Sequence, residues 1–112
     1  MKKYCLALDL VDDPALITEY EHFHKSENAR PAITKSIRDA GITDLEIYRV
    51  GNRLFMIIEA TDTFDFSHKA AMDAANPAVQ EWETLMWKFQ KPLPNAKPGE
   101  KWMLMDKIYQ LP

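Results

Sequence analysis

Tyr20 and His24 stand four residues apart in Glu19-Tyr20-Glu21-His22-Phe23-His24, and on a helix that spacing puts them on one face. At ~100° per residue, His22 lies about 200° from Tyr20 and faces elsewhere. Imidazole changes charge near neutrality, so His24 suits proton transfer inside a pocket, with Tyr20 beside it. The plainer reading is a partly buried histidine with a local hydrogen bond, and the spacing alone allows both. A metal site is not expected. Helical zinc ligands usually sit four apart, whereas His22 and His24 sit two apart; the third histidine, His68, could in principle join one of them.

Aromatic residues offer the second kind of chemistry. Trp82, with Gln80 and Met86 on the same stretch, can pack in the core or form a rigid wall against the C–H face of a sugar. Trp87 and Trp102 carry the same ambiguity, and Tyr48, on the second strand, could reach a pocket or pack at a dimer interface. Glu59 and Asp106 sit in apolar runs, as edge residues or as polar groups turned into a cavity; Glu19, Glu21 and Glu27 fit a solvated helix face. Only three glycines occur, and no phosphate loop, Cys-x-x-Cys pair, serine elbow or dinucleotide fingerprint is present. No bound organic cofactor is therefore expected. Cys5, in Tyr4-Cys5-Leu6-Ala7-Leu8, reads as a buried small residue.

The elements that must position these residues follow from periodicity. Residues 3–10 alternate as a strand. Asp13-Pro14 starts a helix running to about Ser26, with Asp as cap and Pro at the first position. Pro31 interrupts the pattern, so residues 30–40 form a second helical piece or a kinked continuation, and Gly41 ends it. Residues 44–50 and 53–60 are strands joined at Gly51-Asn52. Residues 63–74 and a segment from Asn76-Pro77 to about Phe89 are helical. The Pro-rich stretch 92–99 is a loop before a final strand over roughly Trp102–Tyr109. The order β-α-β-β-α-β predicts an α+β, ferredoxin-like fold in one domain, residues 1–112.

In that fold helices cover one sheet face and the other meets water. Yet Leu54-Phe55-Met56-Ile57-Ile58 is apolar at every position, so both faces of this strand call for burial. A second copy of the chain covering the open face, in a dimeric α+β barrel, answers that; a ligand cavity between helices and sheet answers it in part. The net charge of −3 carries no basic cluster, which argues against a nucleic-acid partner. No apolar run of membrane-spanning length and no leader pattern after Met1-Lys2-Lys3 appears, and a cytoplasmic location is expected.

With these residues in place, the chain resembles the L-rhamnose mutarotase family. The resemblance is carried by Glu19-Tyr20-x-x-x-His24, Gly41-Ile42-Thr43-Asp44-Leu45-Glu46-Ile47-Tyr48, Leu54-Phe55-Met56-Ile57-Ile58-Glu59, Gln80-x-Trp82-x-x-x-Met86 and the closing Tyr109-Gln110-Leu111-Pro112. It implies a homodimeric ferredoxin-like barrel and an isomerase interconverting the anomers of a 6-deoxy sugar, without a cofactor. It further implies that His24 is the proton donor and that Tyr20 and Trp82 bind the sugar. The family commonly has a second Trp where this chain has Glu83, and a sugar-binding Tyr where it has Leu45. Those two positions bear on which sugar is used, L-rhamnose or L-fucose. Two other readings fit the same fold: a cofactor-independent monooxygenase with a wholly apolar pocket, and a dimeric ligand-binding module without turnover.

Overall fold

Alternating apolar residues build a sheet with one strongly buried face. In the computed structural model, which describes residues 1–112, strand β1 spans Lys2–Leu10. Strands β2 (Ile42–Val50) and β3 (Arg53–Ala60) form a hairpin through Gly51-Asn52, where Gly51 adopts a positive φ of 59°. β3 is antiparallel to both neighbours, with Tyr4 opposite Ile58 and Ile58 opposite Leu45, then Leu6 opposite Met56 and Met56 opposite Ile47. Side chains two apart on a strand share a face, so these residues line the side covered by helices.

Four helices pack there: α1 (Pro14–Phe23), α2 (Pro31–Asp39), α3 (Phe66–Ala74) and α4 (Pro77–Trp87). Each crossover is thus two helices, and α2 and α4 each begin at a proline, which ends one helix and suits the first turn of the next. Two short strands, β4 (Gln90–Lys91) and β5 (Met103–Leu104), pair with β1 at Asp9–Leu10 and at Leu6–Ala7. The sheet order β2-β3-β1-β4, with β5 also on β1, is the ferredoxin-like arrangement expected from the sequence.

Three boundaries differ from the sequence reading by three residues or more. α1 stops at Phe23 and not near Ser26, because the His24 N–H turns back to the Glu21 carbonyl at 3.1 Å. The Asn28 side-chain amide then donates to the His22 carbonyl at 2.7 Å and holds a 3-10 turn over Ser26–Asn28. α3 starts at Phe66 and not at residue 63, since Asp65 is its cap and accepts from the Ser67 N–H at 2.9 Å. The final strand is the largest difference. Its two paired residues are followed by one further bond, from the Met105 N–H to the Cys5 carbonyl at 2.7 Å. Beyond it the backbone has left the edge of β1 and finds no other strand. Leu104, Met105, Ile108, Tyr109 and Leu111 are exposed, Ile108 to 95%.

The core forms two clusters. Leu6, Ile42, Ile58, Ala60 and Phe64 fill one end of the sheet. Leu10, Tyr20, Leu54, Met86 and Phe89 fill the other, and Trp102 packs against both. The opposite sheet face is mixed. Asp9 is buried there and accepts from Arg53 Nε at 2.7 Å and Nη2 at 3.1 Å, a two-pronged ion pair. Beside it, Tyr48 and Val50 are exposed, and Phe55 and Ile57 are half-buried. Tyr48 donates its hydroxyl to Glu46 at 2.8 Å and lies away from the cavity described next.

Candidate functional site

The cap of α1 fixes the first two site residues. Asp13 Oδ1 accepts from the N–H groups of Ala15 and Leu16, at 2.9 and 3.1 Å, so the helix starts at Pro14. From that start Leu16, Ile17, Tyr20 and Phe23 fall on the side that packs against the sheet, and Tyr20 is buried. His24 sits one residue past the helix end. Its Nδ1 lies 2.8 Å from the Tyr20 carbonyl oxygen, one of the carbonyls a helix end leaves without an internal partner. A carbonyl only accepts, so Nδ1 carries the hydrogen. In the neutral imidazole, Nε2 therefore presents its lone pair.

Two rings frame this group. The His24 ring lies 4.2 Å from the Tyr20 ring, centroid to centroid, tilted by 31°. It lies 5.6 Å from the ring of Trp82 on α4. Asn76 caps that helix through the Ala78 N–H at 3.0 Å, with Pro77 in its first position, and this sets the angle at which Trp82 enters. Arg30 places its guanidinium 5.0 Å from the Trp82 ring centroid.

The electrostatics follow from the packing. His24 keeps an exposed flank, yet the surrounding rings strip water from its imidazole. This pulls its pKa below the ordinary 6.5, and the bond to the Tyr20 carbonyl opposes the shift in part. His24 is thus mostly neutral at pH 7. Burial pushes the Tyr20 hydroxyl up to about 12; a hydrogen bond with the Gln90 side-chain amide works against this, and the Glu83 charge adds to it. Tyr20 is therefore a hydrogen-bonding group and not a base at neutral pH.

Tyr20, His24 and Trp82 open on a cavity of about 220 Å³ between helices and sheet. That is below the ~300–1,000 Å³ of pockets for drug-sized ligands and suits a small molecule. Leu45 and Glu83 line the same cavity. All five residues singled out from the sequence thus meet at one place. Leu45 belongs to an apolar wall with Ile47, Met56 and Ile58, whereas Glu83 is ion-paired with Lys101.

Other residues flagged in the sequence lie elsewhere. Glu59 sits on the outer sheet face, between Lys3 and Asp44, and Asp106 is in the exposed tail, so neither points into the cavity. His22 is exposed beside Phe23, and Trp87 is half covered by Lys101. Sequence reasoning missed Lys69 and Asp73, an ion pair at 2.5 Å on α3, and Gln90 on β4; all three line the cavity. Lys69-x-x-x-Asp73 was visible as a helical pair, but nothing local says that it faces a pocket. Gln90 carries no local signal.

Comparison with known proteins agrees with this picture. Residues 3–111 match the family described as L-rhamnose mutarotase. The chain is 46% identical to an L-fucose mutarotase of Xanthomonas campestris pv. campestris, over 99% of this chain and 89% of that one. It is 37% identical to a UPF0734 protein of Dictyostelium discoideum, over 98% and 90% of the two chains. Among solved structures it resembles the L-rhamnose mutarotase of Formosa agariphila, with a TM-score of 0.71, 15% identity and full coverage of both chains. It also resembles the tetracenomycin F2 cyclase of Streptomyces glaucescens, with a TM-score of 0.60, 17% identity and coverage of 100% and 98%. The two structures share the α+β fold. The match across nearly the whole sequence, together with the 46% identical relative, places the chain in the L-rhamnose mutarotase family of carbohydrate isomerases.

Proposed function

We propose that residues 1–112 act as a single mutarotase domain that interconverts the α and β anomers of a 6-deoxy sugar, with His24 as the proton carrier. The observation behind this reading is the fixed tautomer of His24. Nδ1–H is held by the Tyr20 carbonyl, leaving Nε2 as the atom available for proton exchange at the cavity. Mutarotation requires the anomeric hydroxyl to lose its proton and the ring oxygen to gain one, with cleavage of the C1–O5 bond. Both oxygens are bonded to C1, so one Nε2 can serve both. Neutral His24 takes the hydroxyl proton, and the imidazolium formed protonates the ring oxygen as the bond opens to the aldehyde. Rotation about C1–C2 and the reverse steps give the other anomer. The base and the proton donor are then the same side chain, and no cofactor is needed.

Tyr20 holds a sugar hydroxyl, and Trp82 packs against the ring. The apolar wall of Leu45, Ile47, Met56 and Ile58 suits the C6 methyl of a 6-deoxy sugar. Glu83, held by Lys101, and the Lys69–Asp73 pair supply the polar side. That polar lining favours a polyol over the wholly apolar substrate of a monooxygenase. L-fucose is the first substrate to test, because the 46% identical relative is an L-fucose mutarotase; L-rhamnose is the second. A cytoplasmic location is part of this reading; no helix is long and apolar enough to cross a membrane.

The pH profile tests the role of His24. Catalysed exchange, after subtraction of the spontaneous rate, should rise with pH through the lowered His24 pKa, below 6.5, and level off by neutrality. A rate that falls over the same window would show that the resting imidazolium is the active form and would overturn the shuttle.

The working assembly in this reading is a homodimer. Phe55, Ile57, Tyr48 and Val50 leave an apolar patch on the uncovered sheet face, and the tail carries Ile108, Tyr109 and Leu111 into solvent. Wild-type protein should sediment as a dimer and the Phe55→Glu variant as a monomer, since the new carboxylate would be buried without a partner. A monomeric wild type would refute the homodimer.

A further inference from the structure

Gln90 stands apart among the buried polar side chains. It lies on β4 opposite Leu10 of β1 and is only 7% exposed. Its Oε1 is buried and has no hydrogen-bond partner in the protein, and no other buried side-chain nitrogen or oxygen is left in that state. Such an atom has given up its water without replacement, which costs stability. Gln90 lines the cavity with Tyr20, His24 and Trp82.

We infer that Gln90 is a substrate-binding and specificity-determining residue, whose side-chain oxygen accepts a hydrogen bond from one secondary hydroxyl of the bound sugar. The inference rests on the mutarotase reading and extends it. An amide oxygen only accepts, so the group it takes must be a donor. A hydroxyl qualifies; a carboxylate or phosphate oxygen does not. Gln90 and Tyr20 line the same cavity. Tyr20 can then donate to a sugar hydroxyl that in turn donates to Oε1, so that the two side chains hold one hydroxyl between them. The anomeric hydroxyl is engaged by His24, so the hydroxyl read by Gln90 is one of the others. Its orientation would be selected, which gives the cavity a means of telling one 6-deoxy sugar from another.

The test is the Gln90→Met variant, close in shape but without a strong acceptor. Anomer exchange is measured by saturation-transfer NMR on L-fucose, L-rhamnose and singly deoxygenated L-fucose analogues. The KM for the preferred sugar should rise roughly three- to tenfold while kcat changes by less than about twofold. The ligand-free thermal midpoint should hold or rise, because an unpaired buried oxygen is removed. One deoxy analogue should be a poor substrate for the wild type and lose nothing further in the variant, whereas the others should lose in the variant as much as the parent sugar does. An unchanged KM, an equal loss across all analogues, or a lowered midpoint with kcat and KM both impaired would overturn the role of Gln90. The mutarotase reading would survive each of these, because wild-type exchange establishes it separately. A wild type that accelerates neither sugar would remove both.

Discussion

His24→Ala protein should exchange the anomers of its sugar about 10²–10⁴-fold more slowly than the wild type, the usual contribution of a positioned acid–base group. It should do so without unfolding. His24 lies past the end of α1, keeps an exposed flank, and its side chain makes one hydrogen bond, to the Tyr20 carbonyl. Alanine leaves that carbonyl open on a side that water can reach, so the thermal midpoint should move little. The shuttle sharpens the expectation. If one imidazole both removes and returns the proton, its loss abolishes both halves of the reaction, and the variant's residual rate should lose the pH dependence expected below neutrality. A second side chain acting as base would leave part of that dependence in place. His24→Ala protein with wild-type exchange would refute the assignment of His24.

Phe89→Ala should be the most destabilising single truncation near the site, by about 3–5 kcal/mol, as for other buried Phe→Ala changes. Phe89 is 1% exposed and lies under the site. Its ring is 6.0 Å from that of Tyr20 and 5.8 Å from that of Phe23. Its carbonyl accepts from the Val11 N–H at 2.8 Å, so the chain at this point is tied to the end of β1 and cannot move in to fill a hole. Tyr20 leans on Phe89, and His24 stacks on Tyr20. The loss should therefore reach function: exchange should weaken even at temperatures where the variant is folded. Chemical denaturation followed by tryptophan fluorescence measures the first effect, and saturation transfer at low temperature the second. A loss below about 1 kcal/mol would show that the pocket floor collapses around the gap.

Much of this was legible in the sequence, for stated physical reasons. Alternation along residues 3–10 and the Gly51-Asn52 turn specify β1 and the β2–β3 hairpin, because a strand with one buried face has little freedom of register. Asp13-Pro14 and Asn76-Pro77 are helix starts in the structure as in the sequence. The Tyr20–His24 spacing survived although the helix ends between them, because the His24 side chain itself caps the Tyr20 carbonyl. The final strand was overextended for an equally physical reason. Met103, Leu104, Met105, Ile108 and Tyr109 have the composition of a buried strand, but composition does not say which chain buries it. Three of the cavity's polar residues were illegible: Lys69, Asp73 and Gln90 come from α3 and β4, far from Tyr20 and His24 in sequence, and only the fold brings them together. Glu59 shows the converse, a carboxylate in an apolar strand whose register turns it to the outer face.

The most direct measurement is saturation transfer between the anomeric protons of L-fucose, and separately of L-rhamnose, with and without the protein. The account predicts faster anomer exchange when wild-type protein is added, with L-fucose tested first because the 46% identical relative is an L-fucose mutarotase, and no such acceleration with His24→Ala protein. Exchange at the spontaneous rate for both sugars in the presence of folded wild-type protein would contradict it.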